Sequence, residues 1–358
     1  MQRLAFSETG DDNNSRHVET CEEKILFALT AQERDQFFPS QDLAAIGAME
    51  CLSVDACSIP SPDWWSSLLQ EIRPTILVSC WGTPMVPYPL VASGLVPLRY
   101  VCHASGSVRK VVPREFITNG GVVTNWAGLV GNSVAEHALL LILASLRNLP
   151  QWHLALGEDM NKRWGKGPQM GTLSLRGRNV GIHGFGNIAR ELARLLKPFE
   201  VNCRAYSEGV PAEIMRQHGV APCNSLEELF ANSDVLAECE SLTPKSVGIV
   251  NADILKLMPK GGVFVNVARG AIVDQAALDC LARNGHIRVA SDVFREEPLP
   301  QNSPLRTNPN VLISPHIGGP TADCYPRCGE FALKNISRYL AGEPLEGRIT
   351  LEIFDRST

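Results

Sequence analysis

Short apolar runs alternate with helical patterns along most of the chain. From Lys24 onward, "KILFAL", "TILVSCWG", "LRYVCHAS" and "GVVTNW" each give four to six residues suited to a buried strand, with polar or amphipathic segments between them. This is the βα rhythm of an open parallel sheet. A long apolar segment, "HALLLILASL", follows "NSVAEH" and predicts a buried helix over about 133–148, with Ser133 and Glu136 at capping-box spacing. A second βα series then begins. Its strands are "NVGIHG", "NCRAYS", "DVLAEC", "GVFVNV", "RVASDVF" and "NVLISPH".

The helices between these strands carry their own punctuation. "NIARELARLLKPF" sets Ile188, Leu192, Leu195 and Leu196 on one face. "NSLEELF" has Ser225 and Glu228 at capping-box spacing. "DQAALDCLARNG" starts on Asp274 and stops at Asn284-Gly285. Six strands with intervening helices make a complete doubly wound dinucleotide domain. The helical segment after Gly319, "CGEFALKNISRYLAG", is expected to return to the first domain. The fold class is therefore α/β, with two Rossmann-like domains. A doubly wound NAD(P)-binding domain (127–319) is inserted in a discontinuous flavodoxin-like substrate domain (23–126 plus 320–358). A polar, aperiodic tail over 1–22 is expected to be disordered, and a cleft between the domains is the expected ligand site.

Composition narrows the function classes. The 358 residues are 44% hydrophobic and 20% charged, with a net charge of -5. That balance argues against nucleic acid as a partner. The longest apolar run is shorter than the roughly 20 residues that cross a bilayer, so no membrane partner is expected. Eleven cysteines lack framework spacing and any CxxC pair, which predicts reduced thiols and a cytoplasmic protein. Cys324 and Cys328 have helical spacing but nothing nearby completes a metal shell, so no metal is expected.

"VGIHGFGNIAREL" supplies a GxGxxA fingerprint, Gly184-Phe185-Gly186-Asn187-Ile188-Ala189, after a predicted strand and at the head of a predicted helix. Gly184 permits the tight turn, Gly186 lets backbone amides approach a pyrophosphate, and Ala189 allows close packing. The next strand ends in Ser207, where an acidic residue is usual, with Glu208 one position late. Glu208 would repel a 2′-phosphate and no arginine follows directly to bind one, so the reading is NAD, with NADP as the alternative. His183 and His137 are read as packing residues.

Three later strands end in polar side chains: Arg269 in "NVARG", Asp292 and then Glu297 in "SDVFREEPLP", His316 in "SPHIGG". Ligands of open α/β sheets bind outside the carboxyl ends of strands, which would bring these residues to one site. A carbonyl reduced by hydride needs a proton, which a histidine supplies near neutral pH and a neighbouring carboxylate supports. A guanidinium grips a substrate carboxylate in bidentate fashion. The competing reading pairs Arg269 with a structural carboxylate and leaves His316 as a loop residue.

"GIHGFGNIA", "LTPKSVGIVNADILKLMPKGGVFVNVARGAIVDQAAL", "SDVFREEPLP" and "SPHIGG", in that order, resemble the D-isomer-specific 2-hydroxyacid dehydrogenases over about 75–340. The resemblance implies that Arg269 binds the substrate carboxylate and carbonyl, and that His316 is the acid/base with Glu297 as its partner. It places Asp292, Thr243, Val267, Ala268 and Gly318 on the cofactor side. It also implies a 2-keto or 2-hydroxy acid substrate and a homodimer with the 133–148 helix in its interface.

Departures from the family pattern bear on specificity. "HASGSVRKV" keeps Ser105, Gly106 and Ser107, whose amides could hold a carboxylate. Arg109 and Lys110 then replace an acid-amide pair. Facing the cleft they would favour a second anionic group, and facing solvent, the expected orientation, they carry no such meaning. Cys239-Glu240-Ser241 replaces the usual His-Cys-Pro on the cofactor side. Trp81 either roofs the substrate pocket or belongs to the core. A dinucleotide-sensing corepressor of the same fold, with little turnover, is the alternative function. A methyltransferase would explain the glycines but leave Arg269, Glu297 and His316 idle.

Overall fold

The computed structural model describes residues 2–3, 23–39, 50–149, 151 and 171–356. The chain divides into two compact units, Met1–Leu129 with Ala322–Thr358, and Val130–Thr321. The expected junctions at 126/127 and 319/320 lie within three residues of these.

The first unit holds a six-stranded sheet. Its strands are β1 (Gln2–Arg3), β2 (Lys24–Leu29), β3 (Glu50–Asp55), β4 (Ile76–Ser79), β5 (Tyr100–His103) and β6 (Val122–Thr124), ordered β1-β3-β2-β4-β5-β6. All pairs are parallel except β1 with β3. The parallel part has the flavodoxin-like order, reversing direction between β2 and β4. Leu26, Leu77, Val101 and Val123 are buried in one core with Trp65, Leu69 and Phe116.

β3 gives no strand signal in the sequence, because "ECLSVD" has no clean alternation, and Leu52 to Asp55 are only half-buried. The tail over 1–22 lies outside the described residues, apart from Gln2 and Arg3, which pair with Ser53 and Leu52.

The second unit holds seven parallel strands: β7 (Asn179–His183), β8 (Asn202–Tyr206), β9 (Ala221–Pro222), β10 (Val235–Glu238), β11 (Gly262–Asn266), β12 (Ile287–Ser291) and β13 (Val311–Ile313). Their order is β13-β12-β11-β10-β7-β8-β9, the doubly wound arrangement with its reversal between β7 and β10. The two-residue edge strand β9 carries a proline and no periodic signal, so it escaped the sequence pattern.

The helices follow their predicted punctuation with one clear exception. Asp274 caps Gln275–Arg283 through the amides of Ala276 and Ala277. Ser225 caps Leu226–Ala231, but Glu228 turns to the amide of Asn224, one residue short of a closed box. The long apolar helix runs from Gly131 to Leu146, two residues ahead of its predicted start, with no side-chain cap. Ser133 therefore sits inside its first turn, and no capping box forms with Glu136.

Candidate functional site at the carboxyl edge of the second sheet

Strand register brings the chemistry to one edge. His183 pairs with Tyr206 and Glu238, Glu238 with Asn266, Asn266 with Ser291, and Ser291 with Ile313. The carboxyl ends are thus level across the sheet. The residues that leave it next, among them Gly184, Ser207, Val267, Asp292 and Ser314, line a single rim.

At the reversal point the chain turns on Gly184, whose φ is 81°. A Cβ there would lie 2.5 Å from the Cα of Glu240, so both conformation and space demand glycine. Gly186 precedes the Asn187–Leu196 helix, which has no side-chain cap, and a Cβ on Gly186 would meet nothing within 4 Å. The space beside Gly186 is therefore open at the head of a helix whose first-turn amides have no side-chain cap, which suits a pyrophosphate. Phe185 and Ala189 are buried beneath, while Asn187 is exposed and Ile188 half-buried. These residues fit a dinucleotide.

Glu208 reaches Lys245 in an exposed ion pair, 3.3 Å long. The carboxylate facing Ser207 is instead Glu240, whose Oε2 accepts from Ser207 Oγ at 3.4 Å while Oε1 accepts the Ser241 amide. Sequence reasoning flagged Glu240 as a departure but not as a partner of Ser207, because the two are 33 positions apart. His183 is a satisfied interior residue, with Nδ1 2.6 Å from Oε2 of the fully buried Glu238. Burial pushes its pKa down, but the Glu238 carboxylate outweighs that and raises it.

Arg269 follows β11 with its backbone extended. Gly270 behind it packs so tightly that a Cβ would lie 1.9 Å from the carbonyl carbon of Phe294, which locks this turn to the loop after β12. The half-buried guanidinium donates to the carbonyl of Ala268 at 2.7 Å. Among the described residues no carboxylate comes within ion-pair distance of it. Burial depresses its pKa and the charge of Glu297 partly offsets this.

Glu297 holds two partners. Oε1 accepts the Phe294 amide at 2.9 Å, and Oε2 lies 2.6 Å from His316 Nδ1. This leaves Nε2 of His316 as the nitrogen available to a ligand. His316 is exposed and adopts φ 55°, uncommon for a residue with a Cβ.

Asp292 explains how that conformation is held. Its carboxylate is buried and accepts from Ser314 Oγ (2.5 Å) and from the amides of Ile317 (3.0 Å) and Gly318 (2.8 Å). His137 Nε2 lies 3.3 Å away. Burial would raise the Asp292 pKa, but these four donors hold it well below the usual carboxylate range. Asp292 therefore braces the His316 loop from both sides of the imidazole. His137, read as packing, is part of that brace. Thr243 closes a turn with Ser246, and Val267 and Ala268 are buried beside Arg269.

The substrate-loop candidates lie on the first unit. Ser105 Oγ is 2.6 Å from His103 Nε2, and His103 Nδ1 is 2.9 Å from Ser79 Oγ, so a buried imidazole ties the ends of β4 and β5 to this loop. Among the described residues, the amides of Ser105, Gly106 and Ser107 donate to no protein acceptor. Arg109 is committed elsewhere: it donates to the carbonyls of Phe354 and Asp355, capping the Leu351–Arg356 helix. Lys110 is exposed.

Burial lowers the His103 pKa from 6.5 to about 4. A group depressed in the folded state contributes its stability above its unfolded value, and loses it as pH falls from 6.5 toward 4. The shift corresponds to about 3 kcal/mol. Denaturant unfolding followed by tryptophan fluorescence is expected to show this loss between pH 7.5 and 4, and His103→Gln to flatten it. Parallel pH profiles for the two proteins would contradict the assignment.

A sequence profile described as D-isomer specific 2-hydroxyacid dehydrogenase, NAD binding domain, matches residues 139–318. The chain belongs to that family. It is 34% identical to glyoxylate reductase of Aeropyrum pernix over 67% of this chain and 72% of the relative. It is 32% identical to D-3-phosphoglycerate dehydrogenase of Methanocaldococcus jannaschii over 71% of this chain. The chain spans about half the length of the phosphoglycerate dehydrogenases it matches, 48% in that case. Among solved structures, an NADPH-dependent glyoxylate/hydroxypyruvate reductase of Sinorhizobium meliloti matches at 25% identity and TM-score 0.69, covering 94% of this chain and all of that one. Among the described residues, no helix of this family member is long and apolar enough to cross a membrane.

Proposed function

We propose that the protein is an NAD-dependent D-2-hydroxyacid dehydrogenase that interconverts a small 2-keto acid and its 2-hydroxy acid. The observation that carries this is a half-buried arginine with no carboxylate partner among the described residues, on the same sheet edge as a Glu–His pair and a glycine-rich dinucleotide turn. When bound, the nicotinamide supplies or accepts hydride. The residues of the chain supply everything else. Gly184, Phe185, Gly186, Asn187 and Ile188 hold the pyrophosphate, and Ser207, Thr243, Val267, Ala268 and Gly318 flank the dinucleotide. Arg269 binds the substrate carboxylate and polarises the adjacent carbonyl, where its own desolvation strengthens the attraction. His316 delivers a proton from Nε2 to the carbonyl oxygen, and Glu297 orients the ring and stabilises the imidazolium. Asp292 acts as a positioning residue for His316. No observation favours the corepressor-like reading.

NAD is preferred over NADP on this reading, with Glu240 taking the part expected of Ser207 or Glu208. A carboxylate facing the end of β8 accepts from a ribose hydroxyl and repels a 2′-phosphate. Ten free thiols among the described residues are in keeping with a cytoplasmic protein. Homodimer assembly through the Gly131–Leu146 helix, where Leu140 is 55% exposed, belongs to the same proposal.

The test is the initial rate of NADH and NADPH oxidation over glyoxylate, hydroxypyruvate, pyruvate and phosphohydroxypyruvate. NADH is expected to be favoured by roughly tenfold or more, about 1.4 kcal/mol. Glu240→Gln should narrow that gap in both rate and dinucleotide Kd. Absence of turnover with every acid would remove the proposal.

A further inference from the structure

We propose that the 2-keto acid carries an aromatic or bulky apolar side chain, and that Trp81 is the residue that selects it. This rests on the reading of the protein as a 2-keto acid reductase, and names its substrate class.

Trp81 immediately follows β4 and Cys80, at the point where the strand order of the first sheet reverses between β2 and β4. That point, at the carboxyl ends of the strands, is where open α/β sheets receive ligands. The indole is braced by other rings: Phe37 at 5.6 Å, Trp126 at 5.9 Å and Tyr325 at 6.4 Å between centroids, all edge-to-face. Despite three aromatic neighbours it stays 48% exposed. A core tryptophan would bury its surface, whereas this one presents it.

The backbone under Trp81 does not let the ring retreat. The buried Glu33 accepts from the amide of Gly82 at 2.8 Å and from the amide of Thr30 at 2.8 Å, joining the loops that leave β4 and β2. A Cβ on Gly82 would lie 2.6 Å from Thr30 Cγ2, so the two loops are in close contact. Thr83 Oγ1 accepts the Cys80 amide and donates to the carbonyl of Ala28. The indole is thus offered by a rigid turn.

The same aromatic cluster adjoins the candidate carboxylate loop. A Cβ on Gly106 would lie 2.9 Å from the Trp126 ring, and Asn125 Nδ2 donates to the Gly106 carbonyl at 2.7 Å. The amides of Ser105–Ser107 therefore have an aromatic surface beside them. A phosphorylated side chain would need a cation instead. Arg109, the nearest candidate in sequence, is spent on the carbonyls of Phe354 and Asp355, with its guanidinium 5.3 Å from the Phe354 ring centre.

The experiment compares kcat/KM for phenylpyruvate, 4-methyl-2-oxopentanoate, glyoxylate and phosphohydroxypyruvate in the intact protein and in Trp81→Ala and Trp81→Phe. The expected result is a preference for phenylpyruvate over glyoxylate of roughly tenfold or more, the size of one good apolar contact. Trp81→Ala should cut that ratio by about tenfold, and Trp81→Phe should restore most of it. A preference for glyoxylate or the phosphorylated acid, or a ratio unmoved by Trp81→Ala, would overturn the inference. If no acid turns over, quenching of tryptophan fluorescence by phenylpyruvate decides. Quenching lost in Trp81→Ala would uphold the aromatic subsite while removing the proposed reaction, and no quenching would overturn both.

Discussion

Replacing His316 with alanine is expected to lower kcat for keto-acid reduction by about 10²–10⁴-fold, the usual worth of a positioned general acid. NADH should bind the variant as it binds the parent protein. The separation follows from the geometry. His316 reaches Glu297 through Nδ1 and presents Nε2 outward, while the glycine turn that fits the pyrophosphate is built on β7 and the Asn187–Leu196 helix. Glu297→Gln should give a smaller loss, because the amide keeps an acceptor for Nδ1–H but no longer stabilises the imidazolium. Single-turnover rates with dinucleotide Kd measured on the same samples make the comparison. Near-full activity in His316→Ala would mean that the proton comes from another group.

Arg269→Lys is expected to raise KM for the keto acid by roughly ten- to 150-fold with little change in dinucleotide affinity. A carboxylate held by two parallel N–H donors loses one of them to a lysine, and a hydrogen bond to a charged group is worth about 1.5–3 kcal/mol. An ammonium also lacks the planar fork that polarises carboxylate and carbonyl together. The alternative, a structural role for Arg269, predicts lower stability and an unchanged KM. Against that alternative stands the one acceptor the guanidinium finds among the described residues, the carbonyl of its own neighbour Ala268. Steady-state kinetics together with a denaturation curve would distinguish the two.

Much of the second unit could be read from the chain because its signals are local. The GxGxxA turn, the buried runs of β7, β10 and β11, and the cap at Asp274 all lie within a few residues of the feature they create. The partnerships that the sequence does not announce act across distance. His103 joins Ser79 and Ser105 over as many as 24 positions, and Asp292 gathers donors from His137 and from Gly318. A polar residue inside an apolar strand declares that it needs a partner, but its sequence does not say which one. Glu238 and His183 illustrate this, since only the strand register sets them side by side. The capping box at Ser133 failed for a different reason. Gly131 continues the helix toward its N-terminus, so the matching motif was present but one half-turn inside.

The left-handed backbone of His316 bears on how the rate should depend on temperature. Such a conformation costs on the order of 1–3 kcal/mol for a residue with a side chain. Here that cost is met during folding, by the bonds Asp292 makes to Ser314, Ile317 and Gly318. An imidazole already held in place has little orientational freedom left to surrender when the proton moves, so the activation entropy of the chemical step should lie near zero. Weakening the Asp292 brace would transfer that entropic cost to every catalytic cycle. Its signature is an Eyring plot with a more negative intercept and a nearly unchanged slope.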